Sequence, residues 1–348
     1  MPASTPAHAG TYGADESGLI CGYVLGPGRG ARALVSAAAA EWLAVRRQAA
    51  PAGNDGGFLW LHFNLAHTGS QPWLERFAGL PGDFFDALKE DLHSTRIERT
   101  DHHSLIAVVN DVHFAFSFEP SEISTLWIHV DRDLVVTARR QALRSIDQLR
   151  TAAKRGDTFG SPIELLEHLL RAQADVLVRI VRDVTSRVDG IEDELLANRL
   201  DHRRVRLGAM RRLLVRLQRL LAPEPAALFR LLQHPPGWID EAGVLALRQS
   251  TEEFSVVLRD MSALQERIKL LQEEIAARVN EDNNRSLFVL TVVTVLALPI
   301  NLIAGLMGMN VGGVPLAEAP HGFWIVVGIV LDFTGLAGWL AWRSRRRD

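Results

Sequence analysis

Residues 286–310 read SLFVLTVVTVLALPINLIAGLMGMN, and residues 323–342 read FWIVVGIVLDFTGLAGWLAW. Ser286 to Met307 contains no charged residue. As a helix it spans about 33 Å, enough to cross a hydrocarbon core of about 30 Å. Phe323 to Trp342 is nearly as long, with Asp332 its single charge. The short stretch between the two runs forces an antiparallel hairpin. A buried hairpin in a soluble core is the alternative, but uncharged runs of this length are rare in soluble folds. The loop from Gly308 to Gly322 has no Lys or Arg, whereas Arg278 and Arg285 precede the first run, and Arg343, Arg345, Arg346 and Arg347 follow the second. The positive-inside rule then places both termini in the cytoplasm and the loop outside. Trp324, Trp339 and Trp342 fall near the ends of the second run, where indole rings favour the interface.

The 348-residue chain has a formal net charge of −3 and one cysteine, Cys21. That composition excludes an intrachain disulfide and a thiolate metal cluster, and it suits a reducing compartment. The first residues show neither a basic nor an apolar signal-peptide region and read as disordered. Upstream of the hairpin, strands are expected over 19–25, 58–64, 96–100, 104–109 with 112–118, 124–130 and 134–138, with helices over 34–48, 71–79, 83–90 and 140–154. This is a mixed α/β domain with a partly antiparallel sheet.

From Ser161 the pattern turns helical. Ser161-Pro162 with Glu164 predicts an N-cap followed by a helix to about Asn198. Asp201 can cap a second helix to Leu221, a short one follows over 225–233, and a last helix starts near Asp240 with no breaker before Pro299. In that last helix Phe254, Val257, Met261, Leu264, Ile268, Leu271 and Ile275 alternate at spacings of three and four, a heptad seam that predicts helix-on-helix packing. From Asp240 to Met307 it would extend about 100 Å if straight, which suits an oligomer whose stalks surround a common axis. The expected organisation is a disordered N-terminus (1–18), an α/β domain (19–160), a helical and stalk region (161–285), a first transmembrane helix (286–307), an outer loop (308–322), a second transmembrane helix (323–342) and a basic tail (343–348).

Asn284, Leu287, Thr291, Thr294, Leu298, Asn301 and Gly305 also alternate at three and four, gathering most polar groups of the first span on one face. Polar groups in hydrocarbon tend to face a bundle interior or an aqueous path. They also serve as hydrogen-bonding contacts between packed helices, and both readings stand at this point. Asn301 could instead repair the backbone bond that Pro299 breaks.

The stretch Pro299 to Asn310, ending in Gly308-Met309-Asn310 between two C-terminal spans, resembles the signature of the CorA superfamily of divalent-cation channels and transporters. Val311-Gly312-Gly313-Val314-Pro315 is similar to its zinc-transporter branch, ZntB. In the soluble half, Phe58-Leu59-Trp60-Leu61-His62, Arg96-Ile97-Glu98 and Leu134 to Arg140 carry the same resemblance. It implies a funnel-shaped homopentamer in the inner membrane, with the first spans lining the pore and the second spans outside them. Its implied ion entrance is Gly308, Met309 and Asn310. Gly308 would let the backbone turn sharply, and the Asn310 amide oxygens would hydrogen-bond a dication's water shell. Below them Asn301, Thr294, Thr291 and Asn284 would offer neutral oxygens, and Leu298 and Leu287 apolar constrictions.

Glu318, with His321 nearby, could attract cations outside. Glu266 and Glu273 fall on the stalk face continuous with the stripe, or are simply solvated. Asp332 is either a proton site for coupled uptake or a protonated carboxyl hydrogen-bonded to Thr334 or a neighbouring helix. No first-shell metal ligand set is visible: there is no CxxC and no HExxH, and His102 and His103 are adjacent and would point apart on a strand.

Arg199, Arg203, Arg204, Arg206, Arg211, Arg212, Arg216 and Arg219 read as a solvated face paired with the acidic stretch 189–194, since nothing supports nucleic-acid binding. The C-terminal arginines read as a lipid-headgroup anchor and a positive collar at the inner mouth. The expected function is transport of a divalent cation, zinc first, with no cofactor and lipid and identical copies as partners. A CorA-like magnesium, cobalt or nickel channel is the alternative, and a membrane-tethered scaffold or sensor is the alternative of another class. No enzyme motif is present.

Overall fold

The computed structural model describes residues 13–48, 57–89, 95–100, 104–119, 121–196, 203–309, 315 and 319–345. The chain divides into two compact units, Met1–Leu271 and Gln272–Asp348.

The first unit is built on seven strands: β1 (Leu19–Gly26), β2 (Arg29–Leu34), β3 (Phe58–Asn64), β4 (Arg96–Arg99), β5 (Leu105–Val112), β6 (Ile123–Val130) and β7 (Leu134–Arg139). They lie in the order β2-β1-β3-β7-β6-β5-β4. The pair β3–β7 is parallel and the other pairs are antiparallel. Every residue of β3 is buried, because successive side chains point to opposite faces and both faces are covered. Phe58 and Trp60 go to one side with α4 (Arg144–Arg155), α5 (Pro162–Leu196) and α7 (Pro223–Gln233). Leu59, Leu61 and Phe63 go to the other with α1 (Ser36–Gln48), α2 (Ser70–Trp73), a π-helical turn (Leu74–Ala78) and α3 (Gly82–Lys89). The sheet is therefore the middle of three layers.

Three local expectations are corrected. β2 escaped the strand pattern because it is an exposed edge with little alternation. The strand expected over 112–118 does not form: β5 ends at Val112 and His113 makes one bridge to Leu143. Beyond it Ser117 donates from its amide and hydroxyl to the Glu122 carboxylate (2.5 and 2.6 Å), and Phe118 adopts φ +69°, a turn that ends the strand. Residues 13–18, expected in the disordered arm, are tied down by Asp15. Its carboxylate accepts from the amides of Ser17, Leu19 and Ser36. Residues 1–12 lie outside the described set.

The helix starts follow the sequence more closely. Ser161 Oγ accepts from the Glu164 amide (3.1 Å) while the Glu164 carboxylate accepts from the Gly160 amide (2.5 Å), a reciprocal cap at the start of α5. Asp240 Oδ1 accepts from Gly243 (2.8 Å) at the start of α8 (Glu241–Met307). Asp201, the expected cap of α6 (Arg203–Leu221), lies outside the described residues.

The seam residues Phe254, Val257, Met261, Leu264, Ile268 and Leu271 are buried within a single chain. Polar bonds tie α8 to its neighbours along that seam. Ser250 donates to Glu167 of α5 (2.8 Å), Gln218 of α6 to Ser262 (2.5 Å), and Gln265 to Gln218 (2.7 Å). Arg267 pairs with Asp189 (2.7 Å) and Glu192 of α5. Asp189 and Glu192 are thus engaged by α8. Arg206 reaches Glu194 at 4.0 Å, and Arg211, Arg212, Arg216 and Arg219 are exposed.

Candidate functional site

Helix α8 passes through Pro299 without a break. A proline has no N–H, so the Val295 carbonyl loses its helical donor there. Asn301 does not repair that gap: its amide has no protein partner among the described residues. The uncharged end of α8 is long and apolar enough to cross a membrane and is unburied in the chain. In α9 (Gly322–Arg345) the apolar stretch Gly322–Leu336 is shorter.

Two faces of α8 separate in the second unit. Val292, Leu296, Pro299 and Ile303 are half-buried, as are Val326, Val327, Val330 and Thr334 of α9. Both sets recur at turn spacing, and among the described residues of this unit each is the other's cover. The stripe Asn284, Leu287, Thr291, Thr294, Leu298, Asn301 and Gly305 is exposed. At 3.6 residues per turn its centre lies roughly 140° around α8 from the half-buried face. The polar stripe therefore faces away from α9, and the two helices of the hairpin do not use it to hold each other.

Thr291 donates its hydroxyl to the Leu287 carbonyl and Thr294 to that of Leu290, both at 2.8 Å. With the proton committed to the helix, each hydroxyl oxygen can act outward only as an acceptor. A hydrated cation presents water hydrogens, so acceptors are what it needs. No charged side chain lies on the stripe.

At the end of the helix the Gly308 amide donates to Ala304 (2.9 Å). Gly308 is not in the left-handed region, and a Cβ there would sit 3.1 Å from the Ala304 oxygen, a tight approach. Gly305 has open space around it, and Met309 is half exposed. Asn310 and Glu318 lie outside the described residues, as do His102 and His103. The His321 carbonyl accepts from Trp324 (3.1 Å) and Ile325 (3.2 Å) at the start of α9. The Arg343 guanidinium lies 5.1 Å from the Trp339 ring centre.

Of the acidic residues singled out, Glu266 is paired with Lys269 (3.0 Å), a neutralising partner that the face-by-face reading overlooked although the spacing of three was visible. Glu273 is exposed. Asp332 is exposed on the side of α9 away from α8, and the Thr334 hydroxyl donates to the Val330 carbonyl (2.6 Å). Among the described residues no group of three His, Cys, Asp or Glu could hold a metal ion.

The model of the family described as CorA-like Mg2+ transporter protein matches residues 55–343. The divalent cation transporter CmaX of Pseudomonas aeruginosa is 30% identical over 336 residues, covering 95% of this chain and 97% of that relative. The zinc transport protein ZntB of Pectobacterium atrosepticum is 23% identical over 286 residues, covering 82% of this chain and 87% of that relative. Among solved structures, the full-length CmaX protein superposes with a TM-score of 0.75 at 28% identity, over 96% of this chain and 98% of that one.

Proposed function

This chain belongs to the CorA-like Mg2+ transporter family, whose members are transporters and not enzymes, and we propose that it passes divalent cations through a pore lined by five copies of α8. The observation that carries this reading is the polar stripe of α8, turned away from α9 and armed with oxygen acceptors. An ion that keeps its tightly held first water shell needs no protein ligand in that shell. Rings of Asn301, Thr294, Thr291 and Asn284 would accept from those waters, with Leu298 and Leu287 between them as constrictions that dewet. Gly308, Met309 and Asn310 form the outer entrance in this reading. Glu318, Glu266 and Glu273 raise the local cation concentration, with Glu266 weakened by Lys269.

The second span is α9, the pore lies in the inner membrane, and both termini face the cytoplasm, as the arginine distribution supports. Zinc is the proposed substrate, supported by the zinc transport relatives. Magnesium is the second reading, favoured by a stripe that offers oxygen alone, since zinc prefers nitrogen and sulfur. Asp332 is assigned to proton coupling.

Proteoliposomes loaded with metal-sensitive dye test these assignments. Wild type should carry zinc faster than magnesium or cobalt. Thr294→Val and Asn310→Ala should each slow the flux about tenfold, equivalent to about 1.4 kcal/mol of barrier. Asp332→Asn should remove the response to a pH gradient while metal still crosses. A Thr294→Val protein transporting at the wild-type rate would overturn the pore assignment, and magnesium outrunning zinc would select the second reading.

A further inference from the structure

A cavity of about 330 Å³ lies in the first unit, between the end of α1, the end of the π-helical turn, the β6–β7 turn and Trp238. Its charged walls are Arg46, Arg47, Arg132, Asp131 and Asp133. A recess of about 60 Å³ shares Arg46, Arg132, Asp133 and Trp238 with it and extends it toward the start of α5. Pockets that hold small organic ligands begin at about 300 Å³.

The charges on these walls do not cancel. Arg46 is committed to Asp133, to whose Oδ1 it donates from Nε (3.0 Å) and Nη2 (2.7 Å). Its guanidinium also lies 5.9 Å from the Trp42 ring centre, which holds it further. Asp131 is committed to its own turn. Its Oδ1 accepts from the amides of Asp133 (2.8 Å) and Leu134 (2.7 Å), and its Oδ2 meets His129 Nε2 (3.1 Å). Arg47 and Arg132 remain. Both are exposed, and neither has an acidic partner among the described residues.

Arg47 is nonetheless seated. Its guanidinium lies over Gly79, where a Cβ would come within 2.5 Å of Nη2 and 2.9 Å of Cζ. Gly79 also adopts φ +61°, so both the backbone and the guanidinium require glycine there. The rest of the wall is apolar. Leu43, Ala78 and Leu134 line the same cavity, and the half-buried indole of Trp238 packs on the core beside it. The cavity thus brings together two cations without counter-charges, aliphatic side chains and one indole. A ligand that uses all three has a doubly charged anionic head and a flat, largely apolar body.

We propose that this cavity binds a purine mononucleotide, with its phosphate at the Arg47 and Arg132 guanidiniums and its base against Trp238. Guanidinium forks match the paired oxygens of a phosphate. A purine stacks on an indole face whatever its ring substituents. The volume suits one nucleoside monophosphate and is too small for a dinucleotide. Trp238 stands in the connection between α7 and α8, so a bound base braces that connection against α1 and the β6–β7 turn. All these residues belong to the first unit, and the site neither uses nor requires the proposed pore.

The test uses purified full-length protein in detergent, titrated in a calorimeter with AMP, adenosine and sodium phosphate in turn, at matched ionic strength and without added metal. AMP should give a saturable heat and bind at least about tenfold more tightly than adenosine or phosphate. Arg132→Gln and Arg47→Gln, both at exposed positions where the fold tolerates change, should each weaken AMP binding about tenfold. Trp238→Leu should weaken AMP while leaving the response to phosphate as it was. No saturable heat with AMP, or equal AMP affinity in wild type and both arginine variants, would overturn the site. Phosphate binding as tightly as AMP would overturn the nucleotide assignment.

Discussion

Glu224, in the first turn of α7, is buried, and its Oε1 has no hydrogen-bond partner. Gln173 Nε2 donates to Oε2 (3.2 Å) and also to the Asn110 carbonyl (2.6 Å). Burial, the largest influence, lifts the Glu224 carboxyl to about 8; the Gln173 bond pulls it down and the nearby Asp111 pushes it up. The unfolded carboxyl releases its proton near 4.5. Between those values the native state binds the extra proton, so stability falls as pH rises from about 4.5 to about 8. Glu224→Gln, neutral throughout, should flatten that fall: above pH 8 its thermal midpoint should exceed that of wild type, and near pH 5 the two should coincide. A parallel decline in both proteins would remove Glu224 from the account. Nothing in the sequence marked this residue. An acidic side chain after Pro223 reads as an ordinary helix start, and only the sheet order brings Asn110 and Asp111 of β5 beside it.

At the scale of elements, α8 shows what spacing can and cannot reveal. The heptad seam predicted helix packing, and Ile268 and its neighbours are indeed buried. Spacing cannot name the partner, which is decided by where α5 and α6 fold back along the same chain. The opposite face carries Val256, Ala263, Leu270 and Ala277, also seven apart and exposed. Ile268→Ala should cost about 2–5 kcal/mol of chain stability in denaturant unfolding. Leu270→Ala, at an exposed position, should change the stability of the single chain by less than about 0.5 kcal/mol. Leu270→Glu should leave the fold intact and lower the assembly mass seen by native mass spectrometry, because the five-copy reading puts this face at the contact between chains. An unchanged mass would count against that reading. The polar stripe was likewise legible as a pattern. Its orientation away from α9 and the backward hydroxyl bonds of Thr291 and Thr294 were not, since both depend on which side of α8 its neighbour occupies.

For the whole molecule, the mixed α/β class and the long apolar end of α8 that follows it were readable from composition shifts and hydropathy. The strand order was not, because the parallel contact between β3 and β7 joins segments separated by six other elements. That order also sets the two borders of the sheet. β4 lies against α7, whereas among the described residues no strand pairs with the outer side of β2, along which Arg29 and Arg32 are exposed. An unpaired strand is a template for another chain, and charge on a short border strand blunts it. In the proposed five-copy reading, identical chains held together would keep such borders at high local concentration for the life of the assembly. The two arginines therefore act as a fence against gelation: Arg32→Val should yield concentration-dependent, thioflavin-positive aggregates of otherwise folded protein, where the wild type at equal concentration stays clear.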